Sequence, residues 1–120
     1  MTAYLIIFLG GGLGSIARYA IGQGLMRYNL QFPLATLLAN LCACLILGYL
    51  IGLNLQGSLQ SPHRLLLATG FCGGFSTFST FSAETLHLLQ HGQYAYAFLN
   101  IAGSLLLCLA AVYMGIKAVS

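Results

Sequence analysis

Residues 33–54, PLATLLANLCACLILGYLIGLN, run for 22 positions without an Asp, Glu, Lys or Arg. As a helix rising 1.5 Å per residue, such a run reaches the ~30 Å of a bilayer's hydrocarbon layer. Three more apolar runs stand around it, at about 3–25, 64–90 and 93–117. Polar breaks separate them at Arg27 to Gln31, Asn54 to His63 and Gln90 to Gln93. The expected fold is an all-α membrane protein, one domain over 1–120 with four transmembrane helices. Pro33 and Pro62 mark helix starts, and Ser61 is placed to cap the third.

Composition points the same way. Hydrophobic residues make up 59% of the chain and charged residues 4%, where a soluble domain carries about a quarter charged. The charged side chains are Arg18, Arg27, Arg64, Lys117 and Glu84. Four scattered cations do not make a nucleic-acid surface. There is no Asp, so no Ser-His-Asp set exists, and no enzyme is expected. Gly12 to Ala17 fits a loose dinucleotide fingerprint, but it lies inside an apolar run with no strand before it. The apolar stretch before Ser15-Ile16-Ala17 lacks the basic start of a signal peptide, so cleavage there is not expected.

Other patterns are better read as packing. Gly10 with Gly14, and Gly48 with Gly52, form small-xxx-small faces that let helices approach closely. Cys42, Cys44, Cys72 and Cys108 fall within spans and read as small packing residues. Glu84, His87 and His91 have metal-like helical spacing, but a carboxylate-bridged metal centre needs several acids and this chain has one.

The basic residues divide evenly. In a four-span chain Arg64 and Lys117 share one side and Arg18 and Arg27 the other, so the positive-inside rule has nothing to act on. Mixed insertion and an antiparallel two-fold dimer follow. One fixed orientation set by weaker biases is the alternative that the charges leave open.

Chemistry concentrates in residues 69–85, TGFCGGFSTFSTFSAET. Gly73-Gly74 followed by hydroxyl and β-branched residues is a poor helix, so a break is expected near Gly73–Thr77. Broken backbone in a bilayer persists only when buried in protein or coordinating something. Phe78 and Phe81 fall on one helical face among hydroxyls. Asn40 stands alone in the middle of the second run. Amide and hydroxyl donors and aromatic ring edges together suit a small hard anion. Singly, each residue also fits a bond to a neighbouring helix or ordinary packing.

Three stretches carry a resemblance: Gly10 to Tyr19, Ala35 to Asn40, and Gly70 to Glu84. They resemble, in order and spacing, the signatures of the Fluc/CrcB fluoride channels. The resemblance implies an antiparallel, dual-topology homodimer in the bacterial inner membrane that exports fluoride passively through two pores. It implies that Phe78 and Phe81 line the pores with Ser79, Thr80 and Ser104, and that Asn40 donates to the anion. Glu84 would anchor a hydroxyl relay with Thr36 and Ser79, and Arg18 would be structural, near one membrane face. A structural sodium would sit at the dimer centre on carbonyls of Gly73 and Ser76. Cys108 follows Ser104 by one turn where a stronger donor would serve the polar track better. The rival reading is a small dual-topology drug/proton antiporter built around Glu84.

If orientation is balanced, a C-terminal reporter will appear on both sides of the membrane. Two or three lysines added at one end will skew that ratio and lower activity. A reporter found on one side alone contradicts dual topology.

Overall fold

Apolar length and turn chemistry set the helix bounds. The computed structural model describes residues 1–120. Helix α1 is Thr2–Met26, α2 is Leu34–Leu55, and α5 is Tyr94–Val119. These three are long and apolar enough to cross a membrane. Between α2 and α5 lie two shorter pieces: α3, residues 61–75, and α4, Phe78–Gln90. The molecule measures 48 × 30 × 22 Å.

Two turns owe their shape to glycine. Gly57 and Gly92 hold φ of 74° and 75°, a left-handed conformation that costs a residue with a Cβ. Each ends its helix in a Schellman motif. The Ser58 amide donates to the Leu53 carbonyl at 2.9 Å and the Gly57 amide to Asn54 at 3.0 Å. The Gln93 amide donates to Leu88 at 2.9 Å and the Gly92 amide to Leu89 at 3.2 Å. Ser61 is not a cap. It is the first residue of α3, and Gln60 holds the capping position with an extended backbone, its carbonyl accepting from the Arg64 amide.

Helix α3 is irregular. Ser61–Arg64 and Gly73–Phe75 are α-helical, while Leu65–Cys72 is wound as a wider π-helix. Such windings are rare and gather at functional sites. The chain then extends at Ser76 (φ −86°, ψ 158°) and Thr77 (φ −154°, ψ 124°) before α4 begins. The expected break exists, but it falls just after the glycine pair. Gly73 and Gly74 remain helical.

Close packing explains the glycines instead. A methyl group on Gly10 would strike the Leu66 carbonyl, one on Gly14 the Phe71 carbonyl, and one on Gly74 the Gly11 carbonyl. These contacts advance together along both helices, so α1 and α3 pack in parallel. A second seam joins α2 to α5. Gly48 lies against the Val112 backbone, Gly52 against Ile116 and Val119, and Gly115 against Leu45 and Tyr49. That pair is parallel too. The core between the seams is small: Ala39, Ala43 and Phe75, with Ala17, Ile21 and Phe71 against them.

The seams predict an asymmetry among glycines of one helix. Gly14→Val overpacks a backbone contact and should cost about 1–3 kcal/mol, read as a lower unfolding midpoint in detergent. Gly12 has nothing within 4 Å of an added Cβ, so Gly12→Val should leave the midpoint unchanged.

Candidate ion pathway

Breaking a helix inside an apolar layer strands peptide groups, each costing several kcal/mol if unpaired. Here other helices supply the missing partners. The Thr77 amide donates to Asn40 Oδ1 at 2.8 Å, and Asn40 Nδ2 donates to the Thr77 carbonyl at 3.3 Å. Asn40 thus closes both backbone groups of one residue, across two successive peptide units. Arg18 Nε donates to the Gly74 carbonyl at 3.2 Å. The Cys72 carbonyl accepts twice from Ser76, from its amide at 3.0 Å and its hydroxyl at 2.8 Å. Thr77 caps α4, its Oγ1 accepting from the Thr80 amide at 3.2 Å.

Around the break lies a cavity of about 320 Å³ bordered by Asn40, Ser76, Thr77, Phe78, Phe81 and Ser104, among others. The Phe78 and Phe81 ring centroids are 5.7 Å apart with planes tilted 36°. Phe78 is 79% exposed on the outer wall. Of the two N–H groups on the Asn40 amide, the Thr77 carbonyl takes one. Asn40 therefore bonds a neighbouring segment, the alternative its sequence position left open, and keeps one N–H.

Thr36, Thr80 and Glu84 gather elsewhere, with Arg18, around a cavity of about 230 Å³. Thr36 stands beside the Glu84 carboxyl, whose Oε1 is buried without a partner. Glu84 also borders a polar cavity of about 440 Å³ with Gln31, His87 and His91. The two histidine rings lie 4.1 Å apart. Hydroxyls link the two regions, since Thr77 Oγ1 is 3.2 Å from Ser79 Oγ and donates to Thr80 Oγ1 at 3.3 Å. Ser79 is exposed and does not border the three larger cavities around Glu84. The arrangement brings Thr36 to Glu84 and leaves Ser79 with Thr77.

A further polar chain ties Ser104 and Asn100 of the fourth apolar run to Thr85, a link the sequence reading did not make. Asn100, 2% exposed, donates from Nδ2 to Thr85 Oγ1 at 2.9 Å, and Thr85 Oγ1 donates to the Phe81 carbonyl at 2.8 Å. Ser104 Oγ donates to Asn100 Oδ1 at 3.4 Å. The chain runs from the aromatic cavity into the α4–α5 contact. The only sequence signal for it was an Asn and a Ser one turn apart in an apolar run.

This geometry can be set beside known proteins. Residues 5–116 match the family model described as "CrcB-like protein, Camphor Resistance (CrcB)". The chain belongs to the CrcB family. It is 49% identical to a protein of Pyrococcus abyssi over 112 residues, covering 92% of this chain and 90% of that one. A Methanococcus maripaludis protein is 43% identical over 115 residues, 96% and 93% of the two chains. One from Serratia proteamaculans is 42% identical over 116 residues, 92% and 91% of the two chains. Each of the three is named fluoride-specific ion channel FluC.

For this CrcB chain, Asn40→Leu will strand both Thr77 peptide groups. The expected loss is about 1–3 kcal/mol per unpaired group, measured by denaturant unfolding in detergent micelles. An unchanged midpoint would show that the grip on Thr77 carries no stability.

Proposed function

We propose that this protein is a fluoride-specific channel that lets fluoride leave the cell passively and so relieves its toxicity. The single observation that carries the reading is the family match, joined to a cavity whose walls offer neutral donors and aromatic edges. Fluoride holds its water tightly and needs strong donors in exchange. The free Asn40 N–H and the positive rims of Phe78 and Phe81 are suitable ones, and the Ser104 and Thr77 hydroxyls join them by rotating away from Asn100 and Thr80. Ser79 and Thr80 continue the donors from Thr77, and Thr36 with Glu84 forms the polar ground beyond. Arg18 is structural in this scheme, holding the Gly74 carbonyl.

The proposed architecture has four crossings in one domain, with residues 61–90 making the third as two half-helices. The parallel seams favour it, because alternating crossings make the first and third parallel and the second and fourth parallel. The assembly is an antiparallel homodimer. The exposure of Phe78 supports this, since an ion path needs that outer wall closed by something other than lipid tails. The setting is the cell membrane, the inner membrane in a bacterium. Nothing in the family match supports the antiporter.

A structural sodium is part of the proposal. No hydrogen bond outside the regular helices closes on the Gly73 or Ser76 carbonyls, and a Cβ on Gly73 would meet nothing within 4 Å. Two free backbone oxygens beside an open face suit a hard cation that takes oxygen ligands. Ser76→Thr, which keeps the carbonyl, should be silent.

In liposomes loaded with fluoride, the purified protein should discharge it to an external fluoride electrode, with no proton requirement. Absence of discharge defeats the proposal. Phe78→Ile and Phe81→Ile should each slow the discharge in a folded protein, and Asn40→Asp should slow it more. Full rates in both phenylalanine variants would remove the rings from the path. Replacing sodium by a larger cation should weaken discharge without any cation current, and a sodium current would reject the structural role.

A further inference from the structure

We propose that Cys44 and Cys108 form a two-sulfur site for a soft, linear-coordinating monovalent cation in the wall of the aromatic cavity. The α2–α5 seam places them together. Gly48 lies against Val112, and one turn back along two parallel helices Cys44 meets Cys108. Their side chains are neighbours across the seam and line the same cavity. Both thiols are free and partly accessible, and both border the cavity that holds Asn40, Phe78 and Phe81. Asn40 and Ser104 occupy the next turn of the same two helices and the same cavity wall.

Two facing sulfurs with apolar neighbours Leu105, Leu109 and Val112 disfavour hard, strongly hydrated ions and favour soft ones. Silver(I) or copper(I) needs only two ligands in line. One thiol loses its proton to solvent, the metal–thiolate bond forms, and the second thiol binds as a neutral donor. The complex is uncharged, which suits a low-dielectric wall where a net charge is costly. No electrons move. Cys42 is exposed and Cys72 is buried. Neither borders this cavity.

The consequence for transport rests on the channel reading: a metal bound in the wall beside the donors obstructs the path and stops fluoride. The test separates binding from flux. Purified protein in chloride-free buffer is titrated with silver nitrate by calorimetry. The Cys42→Ser/Cys72→Ala variant, which keeps the pair, should bind one Ag⁺ per chain with release of one proton. Adding Cys44→Ser or Cys108→Ser should weaken binding by at least about tenfold, about 1.4 kcal/mol. Equal affinity with and without the pair overturns the site, and Cys44→Ala/Cys108→Ala repeats the comparison if a serine variant does not fold. In fluoride-loaded liposomes, one equivalent of Ag⁺ should stop discharge by the pair-bearing protein, and excess dithiothreitol should restore it. The Cys44→Ser/Cys108→Ser protein should discharge equally fast with and without silver. Silver bound at the pair with discharge unslowed overturns the blocking role. Absence of discharge before silver is added defeats the channel reading alone, and the titration still decides the site.

Discussion

Two extended residues in the middle of an apolar chain are the constraint on which the rest of the structure depends. Ser76 and Thr77 leave the helical path, and hydrocarbon offers their peptide groups nothing. A free-standing helix could not tolerate this. The break persists because Asn40 on α2 closes both groups of Thr77 and Arg18 on α1 closes the Gly74 carbonyl. Those bonds are short only because α1 and α2 lie close to the broken segment. The glycine seam between α1 and α3 brings Arg18 within reach, and the small residues Ala39 and Ala43 let Phe75 settle against α2. Packing and polar satisfaction therefore support each other. Loss of either exposes backbone to lipid.

The second seam organises the polar side chains. With α2 and α5 parallel and in contact at Gly48 and Gly115, residues one turn apart on each helix repeat as facing pairs. Asn40 and Ser104 face one cavity and Cys44 and Cys108 the next turn of it. Asn100 turns instead toward α4 and binds Thr85. A single register thus decides which polar groups meet the cavity and which tie helices together.

Much of the fold was legible because membrane spans announce themselves by apolar length, with polar breaks between them. The bounds of α1, α2 and α5 fall within two residues of the sequence reading. The break was legible within the window Gly73–Thr77, and it opens at the far end of that window, where Ser76 and Thr77 are extended and Asn40 holds Thr77. Partners 37 and 56 residues away along the chain leave no local trace. The Thr85–Asn100 bond and the Cys44–Cys108 contact were hidden for the same reason: they depend on a register that composition does not carry. Ser61 failed as a cap because an extended Gln60 already supplied the first carbonyl.

On the proposed channel reading, the scarcity of charge has a function beyond adaptation to lipid. In a low-dielectric wall a fixed cation would hold a fluoride ion by many kcal/mol, and conduction requires that a site release what it admits. Arg18, whose Nε is engaged by the Gly74 carbonyl, lines the Glu84 side rather than the aromatic cavity. What remains around Phe78 and Phe81 is an amide N–H, hydroxyls and ring edges. Each is a partial positive charge, and their attractions are spread over successive turns. Such a wall can replace part of an anion's hydration at several points without trapping it at one. The same neutrality leaves Cys44 and Cys108 as the softest donors in the wall, so the group most foreign to fluoride is also the one that a thiophilic metal would select.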